Sequence, residues 1–159
     1  MDYRIEAWEQ FRLVGYKERM SMEQGQSFIR IPQFWNELTS NGKCQAMMKY
    51  NDNKRLCCLG VCAYGDEKSF DYYIATGSNQ AIPQEMAELI VPTSTYAIFT
   101  CTGKLPQAQQ DMWKRIFSEW FPASGYAPTE GPQIEWYAEG DMNAEDYHSE
   151  IWIPVQKKN

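Results

Sequence analysis

Gln133-Ile134-Glu135-Trp136-Tyr137-Ala138-Glu139-Gly140-Asp141 is the stretch that decides the fold. Its branched and aromatic residues read as a strand, and its Gly-Asp end reads as a turn. An earlier stretch ends the same way: Leu59-Gly60-Val61-Cys62-Ala63-Tyr64-Gly65-Asp66. Laying Gly65-Asp66 on Gly140-Asp141 sets Gly60 against Glu135 and Cys62 against Tyr137. A match at that separation is an internal repeat, and the rest of the chain can be read outward from it.

Each half then runs strand, helix, strand, strand. In the first half the opening strand is Phe11-Arg12-Leu13-Val14-Gly15-Tyr16, and a helix covers about 28–40. Phe34, Trp35 and Leu38 fall on one helical face, and Gly42 is a natural stop. Pro32 either marks the first turn or kinks the helix. The Cys-rich strand follows, then a turn and the strand Phe70-Asp71-Tyr72-Tyr73-Ile74-Ala75-Thr76. Ile82-Pro83-Gln84-Glu85-Met86 reads as the connecting loop.

The second half opens with Thr95-Tyr96-Ala97-Ile98-Phe99-Thr100. Its helix starts at Pro106, where a missing N–H costs nothing, and carries the stripe Trp113, Ile116, Phe117 and Trp120. Pro122 and Gly125 end it; Gln133–Asp141 and Glu150–Val155 are the last two strands. Matching Glu37 with Glu119 sets Trp35 against Phe117 and Leu38 against Trp120, and Tyr73 then falls opposite Trp152. The expected class is α+β: two pseudo-symmetric βαββ repeats (SH2-like halves), about 3–80 and 84–157, with antiparallel sheet and a ligand cleft between them. The 159 residues fit one domain, 1–159.

Composition bounds the function. The formal net charge is −6 and no Lys/Arg-rich tract is present, which argues against direct nucleic-acid binding. No apolar run approaches the ~20 residues of a membrane span, and the N-terminus has no signal pattern. The five cysteines form no CxxC pair, and the single His148 is far from them in sequence. Zinc is therefore not expected, no other metal or cofactor is implied, and the thiols read as reduced in a cytoplasmic protein. Aromatics make up 14%, enough to furnish a ring-lined pocket as well as a core.

Strand alternation sorts the candidates by face. Ile151 and Ile153, with Tyr72 and Ile74, are expected on the helix side, and Trp152 and Tyr73 on the other. In the middle strands apolarity sends Ile134, Trp136, Leu59 and Val61 to the helix side. Glu135, Tyr137, Gly60 and Cys62 then join Tyr73 and Trp152. Tyr72 replaces Tyr73 if the register slips by one. Trp35 and Trp120 lie on helix stripes where core packing competes with a place at the rim of a cleft. A carboxylate in an apolar setting is costly unless compensated, and a cationic ligand compensates it while ring faces add cation–π attraction.

With those residues in place the chain resembles the GyrI-like, AraC-type effector-binding family. Tyr96–Gly103, Glu119–Tyr126, Pro132-Gln133-Ile134-Glu135-Trp136-Tyr137 and Ile151-Trp152-Ile153-Pro154-Val155 are similar to its second repeat. Ile31-Pro32-Gln33-Phe34-Trp35 and Leu59-Gly60-Val61-Cys62 fit its first. One departure is Ala75, where the family's closing strand has Gly. A strand Glu is more often solvent-facing; the resemblance implies instead that Glu135 is the pocket acid. The implied ligand-binding set is Glu135, Tyr137, Trp152, Tyr73, Trp35, Trp120, Gly60 and Cys62, with no catalytic residue. No DNA-binding segment precedes the first repeat, so a stand-alone member similar to integron-associated proteins is expected. The implied partner is a small, cationic, aromatic molecule, and the implied role is a transcription-related sensor or a sequestering module. Two other classes stay open: hydrolysis of reactive cyclopropane-type compounds by Glu135 with Tyr137, and inhibition of gyrase or a regulator through protein contact.

Overall fold

The computed structural model describes all 159 residues and divides into two compact units, Phe11–Val91 and Met1–Gln10 with Pro92–Asn159. The strands are β1 (Tyr3–Trp8), β2 (Phe11–Ser21), β3 (Leu59–Ala63), β4 (Ser69–Gly77), β5 (Ala87–Val91), β6 (Ser94–Thr102), β7 (Tyr126–Pro128), β8 (Gln133–Tyr137) and β9 (His148–Lys157). The helices are α1 (Gln26–Ser40), α2 (Lys43–Met48) and α3 (Gln107–Arg115). No helix is long and apolar enough to cross a membrane.

Both units are antiparallel βαββ sheets, as the repeat implies. In Phe11–Val91 the strand order is β3-β4-β2-β5, with α1 and α2 packed on the sheet. In the other unit the order is β1-β6-β9-β8, and β7 adds to the end of β9. Two strands were not expected from sequence. β1 pairs along its full length with β6, from Tyr3↔Phe99 to Trp8↔Ser94, so the first ten residues belong with the second repeat. β5 pairs back onto β2, Phe11↔Val91 to Gly15↔Ala87, and closes the first repeat's sheet. The compact units thus each borrow a strand from beyond the repeat boundaries at 3–80 and 84–157. Strands of five or six residues carry too weak an alternation to announce their partners.

Pro32 sits within α1, beyond its first turn. After Arg115 α3 continues through a π-helical turn, Ile116–Trp120, and closes at Phe121–Ala123. The wider turn lets Ile116, Trp120 and Phe121 all reach the core. π-Turns of this kind recur beside functional sites.

Ladder pairing fixes which face each side chain takes. Ile151, Ile153 and Val155 of β9 pack with Ile116, Trp120 and Phe121, and Tyr72 and Ile74 of β4 pack with Phe34 and Leu38. Those residues lie on the helix side, as expected. The middle strands are reversed. Glu135 pairs with Ile151 and Gly60 with Ile74, and directly paired residues share a face. Glu135, Tyr137, Gly60 and Cys62 therefore lie on the helix side of their own units, while Ile134, Trp136, Leu59 and Val61 lie on the opposite face with Trp152 and Tyr73. Apolarity misassigned these strands because both faces of the sheet are buried: Ile134 and Ile151, on opposite faces, are each 0% exposed.

The same ladders correct one equivalence. If Gly60 corresponds to Glu135, then Ile74 corresponds to Ile151 and Ala75 to Trp152. Tyr73 is two residues away from that position. It shares Trp152's kind of face without being its counterpart.

Candidate functional site

The helix face of the second repeat gathers a compact polar group around one acid. β8 presents Glu135 and Tyr137 two residues apart on one side, and α3 lays Gln109 and Trp113 over them at i, i+4 spacing. Trp113 Nε1 donates to Glu135 Oε2 at 3.1 Å. The Tyr137 hydroxyl lies 3.2 Å from Glu135 Oε1 and 3.4 Å from Gln109 Oε1. One turn further along the helix, Phe117 stacks on Trp113 with centroids 6.1 Å apart and planes 14° from parallel. Phe117 is itself exposed.

Glu135 as a whole residue is part-buried, but its carboxyl end lies under the helix, held by an indole and a phenol. Loss of hydration pushes this carboxyl above its ordinary range, and the Trp113 and Tyr137 hydrogen bonds pull the other way. No Lys, Arg or His pairs with it. Several other acids do meet an arginine: Glu6 and Glu150 meet Arg4, Glu88 meets Arg12, Asp66 and Asp71 meet Arg19, Glu18 and Glu37 meet Arg30, and Glu119 meets Arg115. Glu135 is a desolvated acid without a counter-charge, flanked by the ring of Trp113 and the phenol of Tyr137.

The other expected site residues divide. Trp120 is a core residue, edge-on to Phe99 at 4.9 Å and stacked on Tyr126 at 5.9 Å. Trp152 is 1% exposed on the face away from α3; its Nε1 donates to Glu150 and its ring meets Trp8 and Tyr96. Tyr73 is 2% exposed, and burial, with Asp71 nearby, raises its hydroxyl above the usual range. Trp152 does not flank Glu135, because it points through the opposite side of the sheet, and Tyr73 points away from the helices of its own unit. In the first repeat, Trp35 Nε1 donates to the Tyr72 hydroxyl at 2.8 Å, directly over Gly60. A Cβ on Gly60 would lie 2.3 Å from that hydroxyl and 3.5 Å from the Trp35 ring. The space Gly60 leaves is thus filled by Tyr72, with Trp35 above it, and Cys62 packs beside them.

Gln109 and Trp113 are the site residues that sequence reasoning missed. Trp113 was read as part of an apolar stripe, and a lone Gln in a helix carries no signal. The clue available was their spacing of four on the helix that crosses the Glu135 strand. All five cysteines are free, and burial pushes the Cys58 and Cys101 thiols up to about 12, so neither is a thiolate at neutral pH. No group of three or more His, Cys, Asp or Glu is placed to hold a metal ion.

Residues 4–155 match the family described as Cass2, integron-associated effector binding protein. The chain belongs to this effector-binding family. A DNA gyrase inhibitor from Erwinia billingiae (strain Eb661) is 32% identical over 71 residues, 43% of this chain. The alignment spans only 43% of that relative's length. Among solved structures, SAV2435 bound to tetraphenylphosphonium is similar over 98% of this chain and 94% of that one, with a TM-score of 0.88 at 24% identity. An integron cassette protein from the mobile metagenome of Vibrio cholerae is similar over 97% and 95%, with a TM-score of 0.66 at 19% identity. These structures show that the Cass2-type effector-binding protein described here has the two-repeat fold that the sequence implied.

Proposed function

We propose that this effector-binding protein takes up small organic cations with aromatic or lipophilic bodies, and that Glu135 is the acid that meets their charge. One observation carries the reading: Glu135 is desolvated by burial beneath the helix, and no cationic side chain pairs with it. A cation at Glu135 would restore the missing charge balance, and the rings of Trp113 and Tyr137 would add cation–π attraction. Tetraphenylphosphonium, found bound to the structurally similar SAV2435, combines a positive charge with four rings and makes a suitable probe.

Of the expected ligand contacts, Glu135 and Tyr137 remain, and Trp113 replaces Trp152 as the indole beside the acid. Trp35, Gly60 and Cys62 stay as candidates on the helix face of their own repeat. The protein acts in this reading by binding alone, as a cytoplasmic sensor or sequestering module. Titration of tetraphenylphosphonium into wild-type protein and Glu135→Gln tests it: saturable binding that the variant loses supports it, and equal binding by both refutes it.

A second reading has one specific observation in its favour. The 3.2 Å contact between Tyr137 and Glu135 sets a phenol beside a carboxyl, an arrangement suited to proton transfer in hydrolysis. Turnover of a cyclopropane-containing compound, abolished in Glu135→Gln, would establish it.

A further inference from the structure

The Tyr137 hydroxyl lies within hydrogen-bonding distance of two acceptors, Glu135 Oε1 at 3.2 Å and Gln109 Oε1 at 3.4 Å. A phenol has one hydrogen, so it can serve only one of them. Gln109 is 6% exposed, and its Nε2 is buried with no acceptor. The oxygen and nitrogen of a side-chain amide are assigned from the hydrogen-bond network. Turning this amide over removes both conflicts at once. Nε2–H then donates to the Tyr137 oxygen, and the phenol hydrogen goes to Glu135. What remains is an unfilled carbonyl oxygen, which proteins tolerate better than an orphaned N–H.

Among the groups facing Glu135, and besides the direct bond from Trp113, the Gln109–Tyr137 pair is the polar contact that can adjust its charge. From α3 come Gln109 and Trp113, and from β8 Tyr137. From β6 comes Cys101, whose thiol burial keeps protonated, and from β9 Ser149 and Ile151. Glu150 points to the other face, where Arg4 holds it. None of the facing groups is a cation.

We propose that Gln109 is a positioning residue that acts on Glu135 through Tyr137: its amide N–H, turned to the phenol oxygen, commits the phenol hydrogen to Glu135 and favours the charged acid that an organic cation requires. This rests on the reading of Glu135 as the effector-binding acid. It makes the affinity for cations depend on a residue that need not touch them.

The test is the pH profile of tetraphenylphosphonium binding, because that cation's charge does not change with pH. Wild type, Gln109→Met, Tyr137→Phe, the double variant and Glu135→Gln are titrated from roughly pH 4 to 8, a range wide enough to follow a carboxyl raised above its ordinary value. Wild-type affinity should rise with pH to a plateau as Glu135 ionises. Gln109→Met should move the midpoint upward by about half to one pH unit. Tyr137→Phe should move it at least as far, and adding Gln109→Met should move it no further. A midpoint that is unchanged or lowered in Gln109→Met overturns the proposal. If Gln109→Met does not fold, Gln109→Glu takes its place. A carboxylate there both competes for the phenol hydrogen and repels the charge on Glu135, so the midpoint should rise more, and an unmoved midpoint would again refute the role. If Glu135→Gln binds as well as wild type, the underlying reading fails. If Glu135→Gln loses binding while Gln109→Met keeps the wild-type midpoint, only the positioning role fails.

Discussion

Trp113 and Glu135, 22 residues apart in the chain, meet through a 3.1 Å hydrogen bond from the indole Nε1 to a carboxylate oxygen. The bond ties the helix of the second repeat to its middle strand, and it brings a ring to the edge of an acid that has no counter-ion. Its energetic weight and its effect on binding can be separated, because Phe keeps a ring and loses the donor.

Trp113→Phe should therefore push the Glu135 carboxyl further above its ordinary range. Binding of tetraphenylphosphonium should weaken most on the acid side of the profile and recover toward high pH, whereas Trp113→Ala should weaken it at all pH values. Titration calorimetry at several pH values distinguishes the two patterns.

Glu135→Gln should weaken binding of the same cation by about 1.5–3 kcal/mol, the range for a hydrogen bond to a charged group. That corresponds to a loss of roughly ten- to hundredfold in affinity, read directly from the dissociation constants.

Burial raises the folded-state value of the Glu135 carboxyl above the unfolded one. The sign follows: the protonated acid fits its site, and ionising it in the folded state costs free energy. Glu135 should therefore make no unfavourable contribution below the unfolded carboxylate range. The cost should grow as pH rises from that range through the raised folded value. Urea midpoints should show Glu135→Gln and wild type close together at low pH, with the variant gaining relative stability above it. A constant difference across pH would contradict this.

Gly60→Ala would place a methyl 2.3 Å from the Tyr72 hydroxyl, so something in that packed layer must move. Destabilisation of about 1–3 kcal/mol is expected, as for other overpacked cores. Removing the hydroxyl in Gly60→Ala/Tyr72→Phe should restore part of that loss, a coupling that a double-mutant cycle by denaturation would measure.

Trp152→Phe separates core from site. Trp152 is 1% exposed and its indole is the donor to Glu150. The variant should lose about 2–4 kcal/mol of stability through the cavity and the lost hydrogen bond. Under conditions where it remains folded, it should bind tetraphenylphosphonium like wild type. A selective loss of binding would return Trp152 to the site.

Much of this was legible in the chain. The repeated Gly-Asp turns, the two aromatic helix stripes and the alternating closing strands identified two βαββ halves, and the family resemblance pointed to Glu135. The strand Tyr3–Trp8 was not legible as part of the second half's sheet, since six residues whose partner lies some 90 positions later carry no local sign of that pairing. Trp152 and Tyr73 looked like pocket rings because each sits beside an acid, yet those acids meet arginines: Glu150 meets Arg4, and Asp71 meets Arg19.

Sequence by itself determined the helices, most of the strands and their order in each repeat, because periodicity and turn chemistry are local properties of the chain; Glu135 stood out only through the resemblance to the effector-binding family. Tertiary structure alone decided which face of each middle strand lies beneath the helix. Alternation divides a strand into two faces but does not label them, and in a sheet buried on both sides apolarity labels neither. The pairing of Glu135 with Ile151 supplied that label. It moved the acid under α3, gave it Trp113, Tyr137 and Gln109 as neighbours, and left Trp152 in the core.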